Sequence, residues 1–168
     1  MSIKLHTCGN ATLILEKNNQ PILATDPWLD NHTAYFGSWC TSHKISKFHL
    51  DLLHKCKFYW ISHFHPDHLN LGSLRHCKNS TILLAQHYGA RVENDLRRIG
   101  FKVISLPSRK WIDIGQHTRI MIFNNELQDS ALLIELKDDN SNKSLIINLN
   151  DTGGIGFEKE VASLSRKY

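Results

Sequence analysis

Apolar and polar positions alternate in short runs through the first third of the chain: "SIKLH" (2–6), "TLILE" (12–16) and "PILATD" (21–26). Runs of this kind, bounded by turn-forming residues, predict strands, and "KNNQ" (17–20) predicts the turn that joins the second and third into a hairpin. The pattern then lapses. Residues 30–49 are rich in His, Ser, Thr, Trp and Gly and keep neither a strand nor a helix period, which reads as a functional loop or lid. Regularity returns at "KFYWIS" (57–62), followed by a polar cluster and a first helix. "TILLA" (81–85) is the next strand. "YGARVENDLRRIG" (88–100) is a helix with Val92, Leu96 and Ile99 on one face and Gly100 closing it, and "FKVISLP" (101–107) is the strand after it. Three further β-type runs come last, "TRIMIFN" (118–124), "SALLIELKD" (130–138) and "SLIINLN" (144–150), with "DNSN" as the turn between the final two. "GFEKEVASLSRKY" (156–168) starts a closing helix. The alternation predicts an α/β layer architecture, with a mixed sheet system and helices outside it.

Composition narrows this picture only slightly. At 168 residues the chain is one domain's worth, so a single domain over 1–168 is expected, and 41% hydrophobic with 21% charged residues is ordinary for a globular protein. The net charge of +4 is spread along the chain, which suits a small, anionic substrate and argues against nucleic acid. The densest basic stretch, "HKISKFHLDLLHKCK" (43–57), interleaves apolar residues and reads as a solvated helix face or surface loop. Cys8, Cys40, Cys56 and Cys77 lack CxxC spacing, and "MSIKLHTCGN" has neither a basic nor an apolar leader region. Both observations predict a cytoplasmic protein with reduced thiols. No apolar run approaches the roughly 18 residues that span a bilayer, so no membrane insertion is expected.

The chemistry concentrates in "ISHFHPDHLN" (61–70). In extended backbone, side chains at i and i+2 face the same way, so His63 and His65 can grip one ion from one side. Pro66 stops the strand and turns the chain, letting Asp67 and His68 face a second point close by. Imidazole and carboxylate suit zinc, or iron and manganese where carboxylate and water share the sphere, so one or two divalent ions are expected, zinc foremost. The plain alternative is a histidine-rich surface loop. Four ligand-type side chains at the C-terminal end of an apolar strand, where α/β sheets place their sites, favour the metal. Asp26 reads as a turn residue accepting backbone N–H bonds. Tyr35, Phe36 and Trp39 are candidates for substrate contact or core. His32, His43, His49, His54, His76 and His87 show no ligand-like spacing and read as surface or structural residues.

His63-Phe64-His65-Pro66-Asp67-His68 resembles the HxHxDH signature of the metallo-β-lactamase-fold superfamily. "CGNATLILEKNNQPILATDPWLD" is similar to the opening hairpin and DPW turn of the branch that includes ascorbate-phosphate lactonases, phospholipase D-type hydrolases and the CMP-sialic acid hydroxylase. "FGSWC" (36–40) resembles that branch's aromatic loop, and "SLIINLNDTGG" resembles the strand that ends in the bridging aspartate, here Asp151. The resemblance implies an αββα sandwich. It places His63 and His65 at a first metal, Asp67 and His68 at a second, and Asp151 between them. It also implies a metal-activated water presented to an ester, lactone, amide or phosphodiester, with Asp67 orienting that nucleophile as the catalytic residue. No separate organic cofactor is implied.

The chain departs from the pattern in three places. Where the superfamily's third histidine follows a middle strand, this sequence has Asn124, Asn125 and Glu126; Asn125 or Glu126 as substitute oxygen ligands would favour iron or manganese. His117 is nearby but precedes that strand. Asn10 stands where the branch usually has a histidine. No histidine follows Asp151. A shortened C-terminal part, a fragment of a longer chain, or a second subunit completing the site in a homo-oligomer or larger assembly would each account for this. Two functions are therefore weighed: a metal-dependent hydrolase, and a catalytically degenerate accessory or metal-binding module. A nuclease is disfavoured by the dispersed basic residues. A redox role is disfavoured because no paired Rieske-type Cys-x-His motif occurs.

Overall fold

Strand β1 (Ile3–Thr7) lies antiparallel to β2 (Leu13–Lys17), which turns back into β3 (Gln20–Thr25). The turn is the predicted one: Asn18 and Asn19 both take positive φ, 51° and 61°, a conformation asparagine tolerates better than most residues and one that matches the twist of a tight hairpin. The computed structural model describes residues 2–29, 31–125, 128–153 and 156–168. These residues separate into two compact units, one comprising the chain to Leu84 with Tyr88–Ser105, the other Ala85–His87 with Leu106–Tyr168.

In the first unit the chain continues through helix α1 (Lys47–Lys55), β4 (Phe58–Ile61), the short α2 (Leu71–Leu74), β5 (Thr81–Ala85), α3 (Arg91–Arg98) and β6 (Lys102–Leu106). The strands form one sheet in the order β1-β2-β3-β4-β5-β6, with β3, β4 and β5 parallel. Parallel strands need covering on both faces, and "ILAT", "YWI" and "ILLA" are accordingly unbroken buried runs. One core packs Leu52 and Leu53 of α1 with Ile14, Ala24, Cys56 and Tyr59; the other packs Leu96 of α3 with Ile61, Leu74, Ile82 and Phe101. Truncating a buried leucine such as Leu74 to alanine would cost about 2–5 kcal/mol.

The second unit is a four-stranded antiparallel sheet, β10-β9-β8-β7, made by β7 (Ile112–Gly115), β8 (Thr118–Asn124), β9 (Ser130–Lys137) and β10 (Lys143–Asn148). Helix α4 (Glu158–Ser165) lays Val161 and Leu164 over Met121, Phe123 and Leu133, with Phe157 completing the cluster. Glu135 is fully buried among cations: Arg119 lies 2.6 Å from its carboxylate, Lys143 3.6 Å, and the Tyr168 hydroxyl donates to it.

The structure corrects several expected boundaries. Helix α3 begins at Arg91 and not near Tyr88, because Gly89 and Ala90 take positive φ and break the first turn. Residues 47–49 of the expected loop are already helical, capped by the Ser46 side chain, which accepts from the His49 N–H at 3.2 Å. Strand β7 went unpredicted because it is four residues long, contains Asp113 and has a bulged register against β8.

Candidate metal centre

Strands β3 and β4 end side by side, and the Asp26 amide donates to the Trp60 carbonyl at 2.9 Å. Side chains just past both strand ends therefore meet at the C-terminal edge of the parallel sheet, the usual place for a site. Strand β4 stops at Ile61, ahead of the histidine cluster, so Pro66 does not terminate it as expected. Pro66 instead sits in a turn in which His68 and Leu69 donate to the His65 carbonyl at 2.9 and 2.8 Å.

His63 and His65 approach each other as their i, i+2 spacing suggested, but in irregular backbone after β4, with His63 buried and His65 exposed. Phe64 points outward, and the His63 Nε2 and His65 Nδ1 atoms come within 2.7 Å. Asp67 and His68 are also buried, with His68 Nε2 3.5 Å from the Asp67 carboxylate. The His63 and His68 rings lie 4.1 Å apart between centroids. The contacts within the cluster thus run in pairs, His65 to His63, His63 to His68 and His68 to Asp67.

What holds them there was only partly legible in sequence. Asp26, fully buried, accepts from the Ser62 N–H at 2.8 Å as a turn aspartate would, and also from the Ser62 hydroxyl at 2.9 Å. Its Oδ2 further lies 3.1 Å from His68 Nδ1. A carboxylate at Nδ1 favours the proton on that nitrogen and an unprotonated Nε2. Ser62 extends the same logic: its hydroxyl hydrogen goes to Asp26, so its oxygen accepts from His63 Nδ1 at 2.9 Å, which favours an unprotonated Nε2 on His63 as well. The "TDPW" aspartate and the serine before the first histidine were the signals for this arrangement.

The loop after β3 supplies a further contact. Ala34 and Trp39 form a small antiparallel bridge, and between them Tyr35 and Phe36 take left-handed φ of 49° and 56°, which costs roughly 1–2 kcal/mol per non-glycine residue. That conformation sends the Tyr35 hydroxyl to the Asp67 carboxylate at 2.9 Å and lays Trp39 against the Tyr35 ring at 4.9 Å, while Phe36 is fully exposed. Tyr35 is neither core nor free surface. It positions Asp67. Asn70, the N-cap of α2, ties the loop to the cluster by donating to the carbonyls of Thr33 and Pro66, each at 3.1 Å.

Asn10, in place of the branch's histidine, donates to the Asp67 carbonyl at 3.3 Å. It also lines a cavity of ≈ 410 Å³ together with Trp28, Trp39, Cys40, Thr41 and His43. Gly9 makes room for His43: a Cβ there would meet the imidazole at 2.1 Å, and the backbone is at φ +95°.

The remaining expected ligands lie in the second unit. Asp151 is exposed in the turn Asn150–Thr152 that follows β10. Asn125 follows β8, and its side-chain oxygen accepts from the Asp129 N–H at 3.0 Å. Glu126 lies outside the described residues. His117 occupies the turn between β7 and β8, at the opposite end of β8 from Asn125.

No family model matches the chain. Among solved structures, a possible metal-dependent hydrolase from Veillonella parvula superposes over 89% of this chain and 63% of its own, with a TM-score of 0.65 and 15% identity. An isothiocyanate hydrolase from Delia radicum gut bacteria does so over 98% and 67%, with a TM-score of 0.61 and 15% identity. The chain has the metallo-β-lactamase fold. In sequence, this metallo-β-lactamase-fold chain is 31% identical to the cytidine monophosphate-N-acetylneuraminic acid hydroxylase of Asterias rubens over 125 residues, 69% of this chain. It is 30% identical over 101 residues, 59% of this chain, to a Mycobacterium tuberculosis protein assigned as a Rieske 2Fe-2S iron-sulfur protein. The chain spans 19% of the length of each of these relatives. Among the described residues, no helix is long and apolar enough to cross a membrane.

Proposed function

We propose that this chain is a divalent-metal-dependent hydrolase, acting on an ester, lactone or phosphodiester at the cluster His63, His65, Asp67 and His68. The observation that carries this reading is that His63 and His68, both buried and with ring centroids 4.1 Å apart, are held by the Asp26–Ser62 network with His65 and Asp67 beside them. Converging imidazole nitrogens beside a buried carboxylate are a donor set that fits zinc, and iron or manganese if more oxygen joins. Asp151 enters as the bridging carboxylate through the sequence resemblance. When bound, such an ion supplies a hydroxide nucleophile at neutral pH and polarises the substrate oxygen.

The chain's own residues do the rest. Asp26 and Ser62 fix the tautomers, Tyr35 and Asn10 hold Asp67 in place, and Asp67 orients the attacking water. The cavity reached through Asn10 and Trp39 would take the body of a small substrate, and the net charge of +4 accommodates an anionic one. Metal analysis of the purified chain, paired with a panel of ester, lactone and phosphodiester substrates, tests the reading. One or two equivalents of metal and an activity abolished in His65→Ala support it; a folded chain that binds no divalent metal overturns it.

A second reading is favoured by one observation, that the curated relatives are about five times longer than the matched region. The chain would then be an accessory, metal-binding module of a larger assembly. Stoichiometric metal without turnover of any substrate in the panel selects it.

A further inference from the structure

Outside the cluster, the turn after α2 and the loop after β3 bring together two histidines that are 44 positions apart. His32 Nε2 and His76 Nε2 lie 3.3 Å from each other. We propose that His32 and His76 form a second metal site, a two-imidazole chelate for Zn²⁺ or another late first-row divalent ion. The spacing is the first argument. Two nitrogens bound at roughly 2.0–2.1 Å to one tetrahedral zinc stand about 3.3 Å apart, the separation of His32 and His76, so an ion fits between them in place of the proton the two imidazoles share.

The second argument is that the pair is seated. His32 packs its Nδ1 edge on Gly72 so closely that a Cβ there would meet Nδ1 at 2.5 Å, which turns Nε2 toward His76. Its backbone is fixed as well, since the Trp28 indole donates to the His32 carbonyl at 2.8 Å. The two rings stand 5.5 Å apart between centroids and 43° from coplanar. His54, at the end of α1, lies 6.4 Å from His76 by ring centroids and is a third imidazole within side-chain reach; the open positions face solvent. An ion here would clip the loop that carries Tyr35 to the turn after α2, at a point separate from the His63 cluster.

Zinc titrated calorimetrically into chelator-treated full-length chain tests the proposal. His32→Ala and His76→Ala are each expected to lose one equivalent, or to weaken it by at least about tenfold, the lower end of what loss of an outer-sphere partner alone costs. The same equivalent should persist in His65→Ala. Isotherms in the two variants that superimpose on the wild type overturn the site, as does loss in one variant but not the other. Metal-free melting temperatures check that the variants fold; if His32→Ala fails that check, the exposed His76→Gln decides the question in the same titration.

Discussion

The Tyr35 hydroxyl donates to the Asp67 carboxylate across 2.9 Å, so an aromatic loop residue with left-handed backbone holds the carboxylate of the histidine cluster. Tyr35→Phe removes one donor and keeps the ring that Trp39 packs against. Metal affinity is expected to fall by about 10–100-fold, as outer-sphere losses do, while the melting temperature drops by only a few degrees, about what one lost hydrogen bond costs. Zinc titration alongside thermal melting separates this from general damage.

Asp26→Asn is nearly isosteric, but an amide placed at His68 Nδ1 cannot demand the proton there as a carboxylate does. Its effect should exceed that of Tyr35→Phe, because His68 loses its fixed tautomer and Ser62 loses an ionised acceptor. Asp26→Ala adds a stability loss of about 1–3 kcal/mol for the buried Ser62 N–H left without its acceptor. Chemical denaturation of the two variants should show that difference.

Glu135 sets an acid limit for the second unit. Burial alone would push its pKa up, but hydrogen bonds from Arg119 and Tyr168 and the nearby charges of Arg119 and Lys143 bring it down to about 2 from 4.5. A depressed carboxylate contributes stability that is fully present above its unfolded value and is lost as pH falls through the folded one. Stability should therefore decline between about pH 4.5 and 2, by on the order of 3 kcal/mol at most. In Glu135→Gln that part of the acid limb should flatten, with a lower plateau at neutral pH; urea denaturation across the pH series measures both.

The four thiols should divide one against three. Cys40 is exposed, whereas burial pushes Cys8, Cys56 and Cys77 up to about 11, 12 and 11. Since the thiolate is the reacting form, a colorimetric thiol reagent at pH 8 should titrate one group rapidly in native protein and all four in denaturant. Two or more fast groups in native protein would contradict the packing around α1.

Where period and chemistry agreed, the sequence was readable. "TILLA" and "TRIMIFN" are strands to the residue, and the Asn-Asn turn forms the hairpin drawn from it. The approach of His63 to His65 was suggested by their i, i+2 spacing. The Tyr35–Asp67 contact could not be foreseen, because it rests on two consecutive aromatics with positive φ, a conformation that sequence disfavours and tertiary contacts impose. The role of Asp26 was half visible: a turn aspartate predicts N–H acceptance, but only the parallel register of β3 and β4 brings His68 to its other oxygen. His32 and His76 were set aside for want of local spacing, and they meet only because the loop after β3 folds against α2.

The Asp26–Ser62–His63–His68 network satisfies its polar groups from within the protein. Small zinc domains, in contrast, draw their folding energy from the ion itself. Here the proposed ligands are positioned by sheet register and buried hydrogen bonds, which predicts an order of events: folding comes first and loading second. A chelator should strip such a chain of metal without unfolding it, and the emptied protein should accept whichever divalent ion its surroundings offer in greatest supply.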